Sequence, residues 1–194
     1  MAHRADEAEE THAFFEAVAA EQGWVPPQGA IKAYPKHSIY FIHKSLDDRL
    51  LGAVKLVMGN KDEGLPILGT WPELPLAGRV DVAELSIIAL APEARGRGSS
   101  FLPLSAELWR HSVLAGVQEL WAELEPRMVN AYRRFGWPCE VAGELRDYWG
   151  DPLYPCRVRI EEAWASYVEK AAKQEKYRRA LEQSARDTPY QSWL

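Results

Sequence analysis

The sequence of 194 residues contains little cysteine and no long hydrophobic run. Its two cysteines, Cys139 and Cys156, are too few for a disulfide framework and lack the spacing of a zinc site, so both are expected to be buried thiols. No apolar stretch approaches the roughly 20 residues that cross a bilayer, and the first ten residues are polar and acidic. These features predict a cytoplasmic protein without a membrane span or secretory signal.

An excess of positive charge is also missing. The formal net charge is -5, which gives no reason to expect a nucleic acid as partner. The five histidines are scattered without ligand spacing, so no metal site is predicted. The hydrophobic fraction of 47% and the length fit one globular domain.

Hydrophobic periodicity predicts a mixed α/β order of elements. Helices are expected over residues 6–22, 101–114, 127–135 and 161–183. Strands are expected over residues 38–44, 51–58, 80–90, 119–123, 139–145 and 154–160, the first two as an antiparallel hairpin. Residues 59–78 form a long Pro- and Gly-containing connection, which either covers a site or is a variable surface loop.

The chain divides at the point where its composition changes. Residues 1–160 are predicted to form the main domain, and residues 161–194 a charged helical extension with a polar and aromatic tail. The C-terminal helix packs either on the domain, which is the favoured alternative, or on a second subunit, so a homodimer stays open.

Residues 92–100 follow a buried strand and precede an amphipathic helix. Unpaired N–H groups and the helix dipole at such a position favour phosphate oxygens. The glycines allow close backbone approach, the arginines add charge, and the serines can donate hydrogen bonds; these residues are Arg95, Gly96, Arg97, Gly98, Ser99 and Ser100. A plain solvated turn is the structural alternative.

Glu84 and Ser86 interrupt the otherwise apolar strand over residues 80–90. Desolvation should raise the pKa of a buried carboxyl such as Glu84, which suits a general base; the alternative is an ion pair with a core arginine. Ser86 could orient a water molecule or an acceptor, or be a satisfied core hydroxyl.

Two motifs resemble the GNAT acyltransferase superfamily over residues 38–160. The glycine loop resembles the superfamily's phosphate-binding pattern, with Ser100 at its last small position. Asn130, Tyr132 and the Gly136-Trp137 pair are similar to its Asn, Tyr and Gly-Phe segment.

A narrower likeness points to the branch with N-acyl amino acid synthases and acyl-homoserine-lactone synthases. Glu84-Leu85-Ser86 and Tyr148-Trp149-Gly150 resemble segments of that branch, but Ile87 replaces the Arg that commonly follows the Ser.

The resemblance implies a GNAT fold, in which a mixed central sheet with splayed strands is flanked by helices. It also implies acyl transfer from a thioester, on coenzyme A or an acyl carrier protein, to an amine such as an amino acid, without a metal. The catalytic residues would be Glu84, Ser86 and Tyr132, with Tyr132 giving a proton to the leaving thiolate. The co-substrate would contact Leu90, Arg95, Gly96, Arg97, Gly98, Ser99, Ser100 and Asn130.

Two other functions remain open at this point. One is a conventional N-acetyltransferase that uses acetyl-CoA, and the other is a GNAT-like binding protein that has lost turnover. Arg110, Arg133 and Arg134 could contact an acidic carrier protein or the nucleotide phosphate, or they could be solvated helix charges.

Overall fold

The computed structural model describes residues 5–96 and 100–186. Its helices are α1 (Ala5–Gln22), α2 (Phe101–Leu114), α3 (Pro126–Phe135), α4 (Ile160–Lys173) and α5 (Glu175–Arg186). Its strands are β1 (Ser38–Lys44), β2 (Leu50–Met58), β3 (Val82–Leu90), β4 (Glu119–Leu124), β5 (Glu140–Val141), β6 (Arg146–Tyr148) and β7 (Asp151–Arg159). The arrangement confirms the predicted α/β class, and none of the described helices is long and apolar enough to cross a membrane.

The seven strands form one mixed sheet in the order β1-β2-β3-β4-β7-β5, with β6 paired to β7 outside that path. The β1–β2 hairpin is antiparallel, as predicted, and β2 continues antiparallel to β3. The pairing of β3 with β4 is parallel, because α2 carries the chain back between these two strands.

The parallel pairing of β3 with β4 is short. It covers three residue pairs, from Val82 opposite Glu119 to Glu84 opposite Trp121, whereas β3 continues to Leu90 and β4 to Leu124. In the β2–β3 ladder the register moves from Ile87 to Leu85 between consecutive β2 residues, which leaves Ser86 as an extra residue. Such a bulge bends a strand and increases its twist. The splayed central strands implied by the resemblance are therefore confirmed.

One face of the sheet carries α2, α4 and α5. Leu104, Leu108 and Trp109 of α2 are at most 1% exposed in a core that includes Tyr167 of α4 and Tyr177 of α5. The predicted C-terminal helix is two helices, because the backbone is extended at Gln174 (φ -135°, ψ 120°). Both helices pack on the domain of their own chain, which was the favoured of the two predicted alternatives. The Tyr167 hydroxyl, for example, donates to the Leu102 carbonyl at 3.0 Å.

The opposite face is covered by α1 and by the connection over residues 59–78. This connection is packed on the sheet and does not lie only at the surface: it contains a short 3-10 turn, Pro66–Gly69, and packs buried side chains on β2, β3 and β4. Ile67 and Trp71 are fully buried, and the Trp71 indole N–H donates to the Glu144 carbonyl at 2.9 Å.

The strand predicted over residues 139–145 is wrong in length. Pairing with β7 ends at Val141, and the chain returns to β7 only at β6. The Ala142 N–H donates to the Pro155 carbonyl at 2.8 Å, but Pro155 has no N–H to return the second bond of the ladder.

A pair of leucines on α2 tests the position of the core. Leu108→Ala should lower the free energy of unfolding by about 2–5 kcal/mol, because Leu108 is fully buried and the substitution leaves a cavity. Leu114→Ala, at a side chain that is 66% exposed, should stay within about 0.5 kcal/mol of the unsubstituted protein. Urea unfolding measures both; equal losses would contradict the packing of α2.

Candidate functional site

A cavity of about 320 Å³ lies where β3 and β4 part. Its walls come from the unpaired part of β3, the end of β4, α3, the end of α1 and the β6–β7 hairpin. The residues that line it are Gln22, Trp24, Leu85, Ser86, Ile87, Ile88, Ala122, Glu123, Leu124, Glu125, Arg127, Met128, Tyr132, Tyr148, Trp149, Asp151 and Leu153. The gap in the sheet is therefore a pocket with both apolar and ionisable walls.

Glu123 is the carboxyl that β4 brings to this cavity. The residue is half-buried, and its Oε1 is buried without a hydrogen-bond partner among the described residues. Burial raises the pKa of Glu123 to about 8. The sequence analysis placed Glu123 on a strand but missed it as a functional candidate; an acid among the apolar residues of β4 was the available signal.

Glu84 lies deeper than Glu123 and is not part of the cavity wall. Its side chain is fully buried, and Oε2 accepts a 2.7 Å hydrogen bond from the Ile67 N–H. Burial and the neighbouring Glu123 raise the pKa of Glu84, while the Ile67 N–H and the charge of Lys55 oppose that rise. The alternative of an ion pair with a core arginine is wrong, since the neighbouring cation is Lys55.

Lys55 is itself fully buried on β2. Its ammonium donates to the carbonyls of Ile31 at 2.9 Å, Ala33 at 2.8 Å and Ala30 at 3.4 Å, so the buried charge is well solvated by the backbone. Burial lowers the pKa of Lys55 to about 8, and Glu84 opposes this shift. Lys55 thus fixes the chain before β1 and supplies positive potential beneath Glu84.

Tyr132 and Ser86 both line the cavity, so the structure brings these two predicted catalytic residues together. Tyr132 is 6% exposed and packs edge-to-face against Trp137, with ring centroids 4.7 Å apart. Burial raises the pKa of the Tyr132 phenol, which keeps its proton at neutral pH. Ser86 is half-buried at the bulge of β3.

The predicted phosphate loop is described only at its two ends. Gly96 has a left-handed backbone (φ 79°), and Arg97, Gly98 and Ser99 lie outside the described residues. Ser100 precedes α2, and its buried hydroxyl has no partner among the described residues.

Other members of the predicted co-substrate set have protein partners of their own. The guanidinium of Arg95 forms two 2.7 Å hydrogen bonds with Glu21 and donates to the Leu90 carbonyl at 3.0 Å. Asn130 is exposed, with Oδ1 3.5 Å from a guanidinium nitrogen of Arg133. A phosphate that binds Arg95 in a bidentate manner would have to displace Glu21.

Aromatic residues close one end of the cavity. Trp24 follows α1, and the next residue, Val25, donates its N–H to the Trp149 carbonyl at 2.8 Å. Trp149 has a left-handed backbone (φ 57°) and stacks on Tyr148 with ring centroids 5.3 Å apart. This hydrogen bond joins the N-terminal part of the chain to the β6–β7 hairpin across the cavity.

The described residues include no group of three or more His, Cys, Asp or Glu side chains that could hold a metal ion. The two cysteines are free and buried, as predicted. Burial raises the pKa of Cys139 to about 11 and that of Cys156 to about 12, so both remain thiols.

Comparisons with known proteins show likeness at the level of structure. No family model and no curated protein matches the sequence. The structure is similar to FeeM, an N-acyl amino acid synthase from uncultured soil microbes, with 15% identity, a TM-score of 0.65, and 84% of this chain and 95% of that chain covered.

Two further solved structures are similar over most of their length. One is the CoA-dependent acyl-homoserine lactone synthase BjaI, described with SAM and isopentyl-CoA, with 15% identity, a TM-score of 0.65 and 85% and 82% coverage of the two chains. The other is a putative N-acetyltransferase from Lactobacillus plantarum, with 13% identity, a TM-score of 0.59 and 81% and 93% coverage. The chain therefore has the fold of the GNAT acyltransferases.

The buried position of Glu123 has a consequence for stability. Its folded-state pKa lies above the value of about 4.3 for an unfolded glutamate, so the folded state binds the proton more tightly. Stability should fall as the pH rises from about 5 to about 8, and Glu123→Gln should reduce this fall by at least about 1 kcal/mol. Urea unfolding at pH 5 and pH 8 measures the difference, with Glu182→Gln on the exposed side of α5 as control. Equal falls in both variants would place Glu123 in water.

Proposed function

We propose that this protein is an N-acyltransferase that moves an acyl group from a thioester, on coenzyme A or an acyl carrier protein, to an amine such as an amino acid. The observation that carries the proposal is the cavity between β3 and β4, into which a carboxyl (Glu123), a protonated phenol (Tyr132) and a hydroxyl (Ser86) converge. Amide formation from a thioester needs a base for the amine and an acid for the thiolate.

The structural neighbours support this reaction type. FeeM is described as an N-acyl amino acid synthase, and BjaI as CoA-dependent and seen with isopentyl-CoA. By analogy with the GNAT enzymes that the chain resembles, we propose that the thioester lies between the parted strands and its phosphate end at the glycine loop. Leu90 lies at the end of β3 and Ser100 just before α2, so the two ends of this loop are in place for such a ligand.

The reaction follows from the positions of the side chains. An amine nitrogen attacks the thioester carbonyl carbon while Glu123 takes its proton, so that the neutral amine supplies the electron pair. The carbonyl oxygen becomes an oxyanion, and the β3 backbone beyond Glu84, which has no partner on β4, can donate N–H groups to it. The C–S bond then breaks as Tyr132 gives its proton to the sulfur, and the second proton lost by the attacking nitrogen returns to the Tyr132 phenolate, which leaves an amide and a free thiol.

Glu84 is buried deeper than the cavity wall and would act on the reaction indirectly. It is the other candidate for the base, but its burial and its bond to the Ile67 N–H put one of its oxygens out of reach of a substrate. We therefore assign proton removal to Glu123, with Glu84 acting through Glu123 or through a water molecule.

The apolar part of the cavity favours a donor longer than acetyl. Hydrocarbon side chains from β3, β4, α3 and β7 contribute to its wall: Leu85, Ile88, Leu124, Met128 and Leu153. A long acyl chain can bury apolar surface on these side chains, which an acetyl group cannot.

Turnover with a series of donors tests the proposed function. The purified protein is incubated with acyl-CoAs and acyl carrier proteins of increasing chain length plus a pool of amines, and free thiol and amide products are followed by mass spectrometry. We expect thiol release with medium or long acyl donors and an amide product in equal amount. Saturable donor binding without thiol release would leave a binding protein, and turnover of acetyl-CoA alone would establish a conventional acetyltransferase.

Three substitutions assign the roles of the side chains. Glu123→Gln should lower kcat/KM by about 10²-fold and remove its rise with pH near 8, because the ionised carboxyl is the active form. Tyr132→Phe should lower kcat by about 10²-fold without that change in the pH profile. Glu84→Gln should shift the pH at which kcat/KM rises and should retain more activity than Glu123→Gln. If Glu84→Gln, and not Glu123→Gln, removes this rise with pH, Glu84 is the base.

A further inference from the structure

We propose that the acceptor is an amine that carries a second positive charge and no carboxylate, such as an aliphatic diamine. This inference rests on the proposed function and narrows its acceptor from amines in general to amines with a second positive charge, which excludes the amino acids given there as an example. It follows from the charges, the unpartnered carboxyl oxygen and the aromatic rings on the cavity wall.

The charged residues that line the cavity are mostly acidic. Three carboxyl groups, those of Glu123, Glu125 and Asp151, accompany a single guanidinium, that of Arg127. Arg127 is bound to Glu125 with a 2.5 Å contact, and its charge also interacts with Asp151. The one guanidinium of the described wall is therefore mostly exposed and already paired, and a substrate carboxylate would meet more carboxyl groups than cations.

Two described cations beside β3 are engaged elsewhere: Lys55, which pairs with Ile87 in the β2–β3 ladder, and Arg95, which donates to the Leu90 carbonyl. The ammonium of Lys55 is buried among backbone carbonyls, and the guanidinium of Arg95 is paired with Glu21. Ile87, which stands where the resembling synthases carry Arg, adds only hydrocarbon to the cavity. None of these positions offers a carboxylate of the acceptor a free positive partner.

Two features suit organic cations in this cavity. Oε1 of Glu123 is buried without a partner among the described residues, so this oxygen can accept a hydrogen bond from a bound ammonium group. Trp24, Tyr148 and Trp149 also line the cavity, and Tyr148 lies opposite Asp151 in the β6–β7 ladder. Aromatic faces beside a carboxylate attract ammonium groups through cation–π and Coulomb interactions.

Asp151 and Glu123 would bind different ammonium groups of a diamine. One ammonium stays charged and is held by Asp151 and the neighbouring rings. The other loses its proton to Glu123 and attacks the thioester. A monoamine lacks the first contact, and an amino acid brings a carboxylate to a wall that repels it.

A matched set of acceptors tests the inference that the acceptor carries a second positive charge and no carboxylate. Putrescine has one ammonium more than n-butylamine and lacks the carboxylate of ornithine, while all three have the same four-carbon chain. With a donor that turns over, kcat/KM for putrescine should exceed that for each of the other two by at least about tenfold. Equal or higher values for n-butylamine or ornithine would overturn the inference and leave the acyltransferase function intact.

Asp151→Asn should lower the ratio of kcat/KM for putrescine to kcat/KM for n-butylamine toward one. Asp147→Asn removes the same charge from an exposed position on the same hairpin and should keep the preference. An unchanged preference in Asp151→Asn would contradict the role of Asp151. Calorimetric titration of putrescine into the protein with coenzyme A gives a readout that needs no turnover. Binding that Asp151→Asn weakens would support the cation site even if the proposed reaction failed, and no binding would overturn it.

Discussion

The site depends on where the pairing of β3 and β4 ends. The two strands share only the pairs from Val82 to Glu84, and each is held firmly on its other side, β3 by β2 and β4 by β7. The two strands are therefore fixed on their outer sides where they part. The gap between them exposes backbone groups of β3 that a continuous sheet would have paired, and it leaves room for the cavity that Glu123 and Tyr132 line.

The burial of two neighbouring carboxyl groups, Glu84 and Glu123, is the main electrostatic destabilisation in this arrangement. Desolvation raises the pKa of both Glu84 and Glu123, and the neighbouring Glu123 raises that of Glu84 further, so ionising both carboxyl groups at once carries a large penalty. The Ile67 N–H and the buried ammonium of Lys55 stabilise the ionised form of the deeper acid. Lys55 in turn needs the carbonyls before β1, so the packing around α1 is part of the electrostatics of the site.

Much of the fold was predictable, because periodicity and glycine placement are local. β1 and α2 have the predicted bounds, and the predicted helix over residues 6–22 differs from α1 by one residue. The splayed sheet followed from the motif resemblance alone. The break at Gln174 and the packing of residues 59–78 were not predictable, since both depend on contacts with distant parts of the chain.

The site was predictable only in part, for the same reason. Ser86 and Tyr132 were predicted from the sequence and line the cavity, and their catalytic roles stay predictions. Glu123 was missed because strand alternation alone does not tell which acid faces a gap in the sheet. Arg95 was expected to add positive charge to the phosphate loop, but it is paired with Glu21, which is 74 residues away in the sequence.

A crystal structure with a ketone analogue of a long-chain acyl-CoA, in which a methylene group separates the sulfur from the carbonyl, tests the central claim most directly. The account predicts that the analogue lies between β3 and β4, with its sulfur within hydrogen-bond distance of the Tyr132 hydroxyl and its carbonyl group beside Glu123. An analogue bound outside this gap, or one whose sulfur is remote from both side chains, would contradict it.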